Sequence, residues 1–149
     1  MITIVLYDSQ FGCTEKVAQV IAQSIPSARL LRVCEAKLHD LQGVTQLIVG
    51  CPTQGGRPTE ALQHFIAEIP DDGLKNVKVA AFDTRFREKD QNLFLRLLMK
   101  MIGYAAPKIA NSLVNRGGNL FVSPEGFIVT GKEGPLASGE LERAKQWLV

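Results

Sequence analysis

Apolar positions along this chain come in short continuous runs, each followed by a Gly- or Pro-marked turn and a stretch of helical period. The run Ile2-Thr3-Ile4-Val5-Leu6-Tyr7 is almost wholly apolar, as befits a strand covered on both faces. From about Thr14, Val17, Val20, Ile21 and Ile25 share one face, which predicts a helix stopping before Pro26. A short second strand, Arg29 to Val33, precedes an irregular stretch with Asp40 and Gly43; Leu47 to Cys51 then reads as a third, buried strand. The loop Pro52 to Pro58 leads into a helix that should bury Leu62, Phe65, Ile66 and Ile69, and Pro70-Asp71-Asp72-Gly73 turns the chain into a fourth strand, Val77 to Phe82. Two helical segments come next, about Lys89 to Ile102 and Pro107 to Arg116, broken at Gly103 and Pro107. Leu120 to Val122 and Phe127 to Val129 bracket Pro124-Glu125-Gly126 as a split or extended fifth strand. The last helix is expected to start near Ser138 as N-cap, with Glu140 and Glu142 in its first turn, and to bury Leu141, Ala144 and Leu148, with Trp147 in the core.

Strand alternating with helix predicts an α/β fold: a doubly wound, three-layer sandwich on a five-stranded parallel sheet, with an extra helix between strands four and five. One domain over residues 1–149 accounts for the length. A ligand site is expected beyond the carboxyl ends of the strands, where successive connections leave in opposite directions.

Composition narrows the classes. With 46% hydrophobic and 21% charged residues the chain is globular, and a net charge of +2 without a basic block argues against nucleic acid. Cys13, Cys34 and Cys51 lack CxxC spacing, and His39 and His64 stand apart from them, so no metal is expected. The chain enters its first strand without a basic n-region or cleavage site, and Leu93 to Ile102 is broken by Arg96 and Lys100; a reducing cytoplasm is the expected location. That segment nonetheless carries a wide apolar surface over a narrow polar stripe. Phe94, Leu97, Leu98 and Met101 are expected to pack inward, while any exposed remainder would serve a subunit interface or peripheral membrane contact.

The chemistry concentrates in three segments. Ser9-Gln10-Phe11-Gly12-Cys13-Thr14 joins the first strand to the first helix: Gly12 permits a tight turn, Ser9 and Thr14 offer hydroxyls, and the helix start offers unpaired N–H groups. The loop reads either as a capped helix start or as an anion nest, and it lacks both the Gly-Lys-Ser/Thr ending of a Walker A loop and the glycines of a dinucleotide fingerprint. Ser9, Gly12 and Thr14 resemble the phosphate loop of the flavodoxin family, in which Ser/Thr, two residues, Gly, one residue and Thr directly follow strand one. Gly50-Cys51-Pro52-Thr53-Gln54-Gly55-Gly56 is similar to that family's second flavin loop.

The resemblance implies sheet order 2-1-3-4-5 and flavin mononucleotide (FMN) as cofactor, flavodoxins being a standing instance of ligand binding at the switch between strands one and three. It implies contacts from Pro52, Thr53, Gln54, Gly55 and Gly56, a glycine peptide here being free to turn toward the flavin N5. A third loop, Asp83-Thr84-Arg85-Phe86, would flank the ring, although the family's usual stacking tyrosine and tryptophan are missing and only Phe86 is aromatic. Arg85 reads either as meeting negative charge on reduced flavin or as a solvated arginine. The segment from Phe82 to Arg85 and the run from Glu133 to Trp147 look like those of short flavodoxin-domain proteins, while the Leu/Met-Lys-Met pattern loosely resembles the quinone-linked protoporphyrinogen oxidases of the same fold.

The implied function is an FMN redox protein, carrying electrons to a partner or acting as a small flavin reductase. The alternatives are a flavin enzyme for a bulky apolar substrate and a cofactor-free interaction module. A reversible Cys13–Cys51 bridge is also open, since Cys13 stands at a helix N-terminus and Cys51 ends a neighbouring strand.

Overall fold

The structure is a computed structural model that describes residues 1–86, 92–94, 97 and 103–148. Four strands, β1 (Thr3–Tyr7), β2 (Arg29–Arg32), β3 (Gln46–Pro52) and β4 (Lys78–Phe86), lie parallel in the order β2-β1-β3-β4. Beyond β4 the edge is shared by two short parallel pieces, β5 (Asn119–Leu120) and β6 (Glu125–Val129). The fifth strand is thus split, making six strands where five were expected; Pro124, in the gap, has no N–H to give to a ladder.

Helices α1 (Cys13–Gln23) and α4 (Glu140–Trp147) cover one face of the sheet, while α2 (Glu60–Ala67) and α3 (Ala105–Asn115) cover the other. The strand period of two sorts the core between them. Ile4, Leu6, Leu47, Val49, Cys51, Val79 and Ala81 meet α2 and α3; Val5, Tyr7, Ile48, Ala80 and Phe82 meet α1 and α4. On the latter face Phe82, Phe127 and Trp147 stack edge to face with centroids 6.0–6.1 Å apart, each pair adding about 0.5–1.5 kcal/mol beyond its buried area. Gly50 makes room for this cluster, since a Cβ there would lie 2.1 Å from Cζ of Phe82.

Several expectations need correction. Residues 83–86 are not a loop but the end of β4, paired with β6 from Asp83↔Gly126 to Phe86↔Val129. Helix α4 starts one residue after Gly139 (φ 85°), not at a Ser138 cap. Ala144 is buried as expected, but so is Glu140, whose carboxylate accepts the Ile128 N–H (2.6 Å) and pairs with Arg143, while Leu141 faces solvent. Leu93, Phe94 and Leu97 are helical, but Phe94 (73% exposed) and Leu97 (54%) do not pack inward. Leu98, Met101 and most of the segment from 89 to 102 lie outside the described residues. Among the described residues no helix is long and apolar enough to cross a membrane.

Candidate functional site

Register brings the loops together. Tyr7 lies beside Gly50 and Gly50 beside Phe82, so β1, β3 and β4 reach the same edge of the sheet in adjacent columns. From there the chain leaves β1 through α1 on one face and β3 through α2 on the other, opening a crevice between them. A cavity of about 330 Å3 occupies it, near the lower end of the usual range for small-molecule sites. Its lining takes in Ser9, Gln10, Phe11, Cys13 and Thr14 after β1, Pro52, Thr53 and Gln54 at the end of β3, and Thr84, Arg85 and Phe86 at the end of β4.

The first loop is built in advance. Asp8 Oδ1 accepts the Ser9 N–H (2.9 Å), Arg32 Nη2 donates to the Ser9 carbonyl (2.6 Å), and the Gly12 N–H donates to Ser9 Oγ (3.1 Å). Gly12, at φ 98°, occupies the N-cap position of α1 in a left-handed conformation that other residues rarely adopt, and no side chain caps the helix. The first-turn amides therefore lack helical partners, and Ser9, Cys13 and Thr14 around them line the cavity. Those amides, the positive end of the helix dipole and the Ser9 hydroxyl form a donor set suited to a phosphate.

Helix α3 makes the contrast. Its Ala105 N–H donates to Thr53 Oγ1 (3.0 Å) and its Ala106 N–H to Asp83 Oδ2 (2.8 Å), so side chains from β3 and β4 cap it. Asp83 is completely buried and does not line the cavity; strand alternation turns it, with Arg85, toward α3. Arg85 donates to it twice, from Nε (2.7 Å) and Nη2 (2.8 Å), and its guanidinium lies over the Tyr104 ring, 3.7 Å from the centroid. Arg85 is thus not a solvated side chain but a fixed cation in the cleft wall, where it lines the cavity. Thr84, on the opposite side of the strand, shares a 2.8 Å hydrogen bond with Thr14, tying β4 to the start of α1.

Gly12, Gly55 and Gly56 are not among the residues that line the cavity. Gly55 and Gly56, both at positive φ, form a tight turn closed by reciprocal Gln54–Arg57 backbone bonds (2.8 and 3.0 Å), and Lys108 Nζ holds the Gly56 carbonyl. Across the mouth, Gln54 Nε2 donates to Gln10 Oε1 (2.9 Å), linking the first loop to the second.

Cys13 and Cys51 lie on opposite faces of the sheet and are unpaired, which removes the bridge considered from sequence. Cys51 is buried, which pushes its pKa up to about 12. Sγ of Cys13 instead packs against Gly134, where a Cβ would come within 2.5 Å.

Two lining residues, Val129 and Lys132, went unremarked in the sequence. The signal was present, since Val129 ends the predicted fifth strand and Lys132 follows it, and ligands in such sheets gather beyond strand carboxyl ends.

No curated protein matches the chain significantly in sequence. Among solved structures it is similar to a flavodoxin from the domain Archaea, at 20% identity over 99% of this chain and 93% of that one, with a TM-score of 0.71. It is also similar to oxidised flavodoxin 2 from Bacillus cereus, at 22% identity over 98% and 94%, TM-score 0.72. A third likeness is to rubredoxin oxygen:oxidoreductase from Desulfovibrio gigas, at 19% identity over 98% of this chain and 34% of that longer one, TM-score 0.69. These likenesses establish the fold, with sheet order 2-1-3-4-5 as implied from sequence. The flavodoxin family model matches residues 5–95, more than half of the chain, and so this protein belongs to the flavodoxin family of FMN-binding electron-transfer flavoproteins.

Proposed function

We propose that this chain holds FMN in the crevice, its phosphate on the loop of residues 9–14 and its ring against residues 52–54 and 84–86, and serves as a soluble electron carrier. The observation that carries this reading is the uncapped start of α1 opening onto the cavity, while α3 beside it is capped by Thr53 and Asp83. Bound FMN supplies the electron chemistry; the chain supplies the phosphate grip, apolar walls from Phe11, Pro52, Phe86 and Val129, and the partner-facing surface. The Gly12–Ser9 hydrogen bond and the Gln10–Gln54 link fix the loop beforehand and lower the ordering cost of binding.

A carrier and a reductase separate in one experiment on the FMN-loaded protein. A carrier reduces in two resolved one-electron steps and leaves nicotinamide donors unoxidised; steady oxidation of NADH or NADPH assigns a reductase instead.

One observation favours a second reading: Leu93 (70%), Phe94 (73%) and Leu97 (54%) expose a run of large apolar side chains. Such a surface suits a flavin enzyme acting on a quinone or porphyrinogen at a membrane surface, or a subunit contact. Rapid reoxidation of the reduced protein by a soluble quinone, lost on replacing these three residues with Ser, would establish it over the carrier.

A further inference from the structure

The cavity lining holds two cations, Arg85 and Lys132, and no carboxylate. Arg85 is committed to Asp83, whereas Lys132 is exposed and has no ion-pair partner among the described residues. Its position is set by a strap that leaves β6 and returns to α4. The Thr130 N–H and hydroxyl both donate to the Pro135 carbonyl (2.9 Å each), the Gly134 N–H to the Gly131 carbonyl (3.0 Å), and Val129 pairs with Leu136. Gly134, in this strap, rests on Cys13, the first residue of α1.

Two residues of chain span at most about 7 Å, so Lys132 stays close to Gly134, and it lines the same cavity as Ser9, Cys13 and Thr14, on a flexible four-carbon stem. A phosphate on those amides would bring up to two negative charges to a position this ammonium can approach. The side chain is therefore placed to discriminate, by charge, between a phosphorylated flavin and one without phosphate.

We infer that Lys132 is a specificity-determining residue for the phosphate group of the bound flavin. The inference rests on the FMN reading above. The sequence loop alone offers amides and hydroxyls, which neutralise a dianion only by dipoles; the strap adds a full charge from a distant part of the chain.

The test compares FMN with riboflavin, titrated into flavin-free protein and followed by quenching of flavin fluorescence, for wild type, Lys132→Gln and Lys132→Arg. Lys132→Gln should weaken FMN binding roughly 3- to 10-fold, the modest effect of an exposed ammonium on a phosphate, and leave riboflavin unchanged within twofold. Lys132→Arg should restore most of the FMN preference, and the preference should shrink as salt is raised. Equal losses for both flavins, or no loss for FMN, would overturn the assignment while leaving the FMN site standing. A folded wild type that takes up neither flavin would defeat the FMN reading and this inference together.

Discussion

Asp83 is the residue whose removal should disturb the site's frame most. It is completely buried, accepts two hydrogen bonds from Arg85, and accepts the Ala106 N–H at the start of α3. Asp83→Ala leaves the Arg85 guanidinium, whose side chain is 20% exposed, without its counterion. Breaking a buried pair costs about 3–5 kcal/mol, and partial access to water puts this case near the lower end. The orphaned Ala106 amide adds about 1–2 kcal/mol, and since the two losses share one carboxylate their sum is an upper bound. Asp83→Ala should therefore cost about 3–5 kcal/mol, a fall of roughly 6–20 °C in Tm for a chain of this size. Asp83→Asn, which keeps one acceptor, should cost about half as much. Urea unfolding of flavin-free protein is the proper assay, because a ligand of the native state adds its own stabilisation. The diagnostic is the double variant Asp83→Leu with Arg85→Met: it should recover at least about 2 kcal/mol relative to the sum of the single losses. Additive losses, or an Asp83→Ala cost below about 1 kcal/mol, would refute the claim that this pair anchors the cleft wall.

Gly50→Ala drives a methyl into the Phe82 ring and should cost about 3 kcal/mol or more in the same assay, with a changed near-ultraviolet spectrum from the Phe82–Phe127–Trp147 cluster. Under native conditions a thiol reagent should modify exposed Cys34 quickly, Cys13 slowly and Cys51 only on unfolding; three free thiols before any reductant is added confirm that none is paired. Because burial raises the Cys51 pKa from 9.0 to about 12, the unfolded thiol ionises first as pH rises. Its contribution is intact below about pH 9 and is lost toward pH 12, at up to about 1.4 kcal/mol per pH unit, and Cys51→Ala should flatten that slope. Gly12→Ala, forced to a φ of 98°, should cost about 1–2 kcal/mol and weaken FMN binding more than Gln10→Ala, which severs only the link to Gln54.

The frame of the fold was legible because its strands are buried on both faces. Ile4-Val5-Leu6 and Leu47-Ile48-Val49 are fully buried and appear in sequence as unbroken apolar runs, and the turns between them carry Gly and Pro. The loop from Ser9 to Thr14 was legible because local spacing sets its conformation. What escaped was decided by partners distant in sequence. Asp83 and Arg85 look like loop polarity until β6 pairs with them and α3 supplies an amide to be capped. Glu140 reads as a dipole charge, but the Ile128 N–H and Arg143 draw it inside and leave Leu141 in solvent. Lys132 is one surface lysine among many until the strap docks on Cys13.

On the proposed function, α1 begins without a cap so that its amides can take a phosphate. Backbone amide resonances of the isotope-labelled, flavin-free protein, followed through a titration with FMN, test it most directly. Saturation at one FMN per chain is expected, with the largest shifts at Cys13 and Thr14, smaller ones at Gly12, whose N–H already donates to Ser9, and at Thr53, Gln54 and residues 84–86, and little change at Ala105 and Ala106, whose N–H groups are capped by Thr53 and Asp83. Saturable uptake that leaves residues 12–14 unmoved, or a folded protein indifferent to FMN, would contradict it.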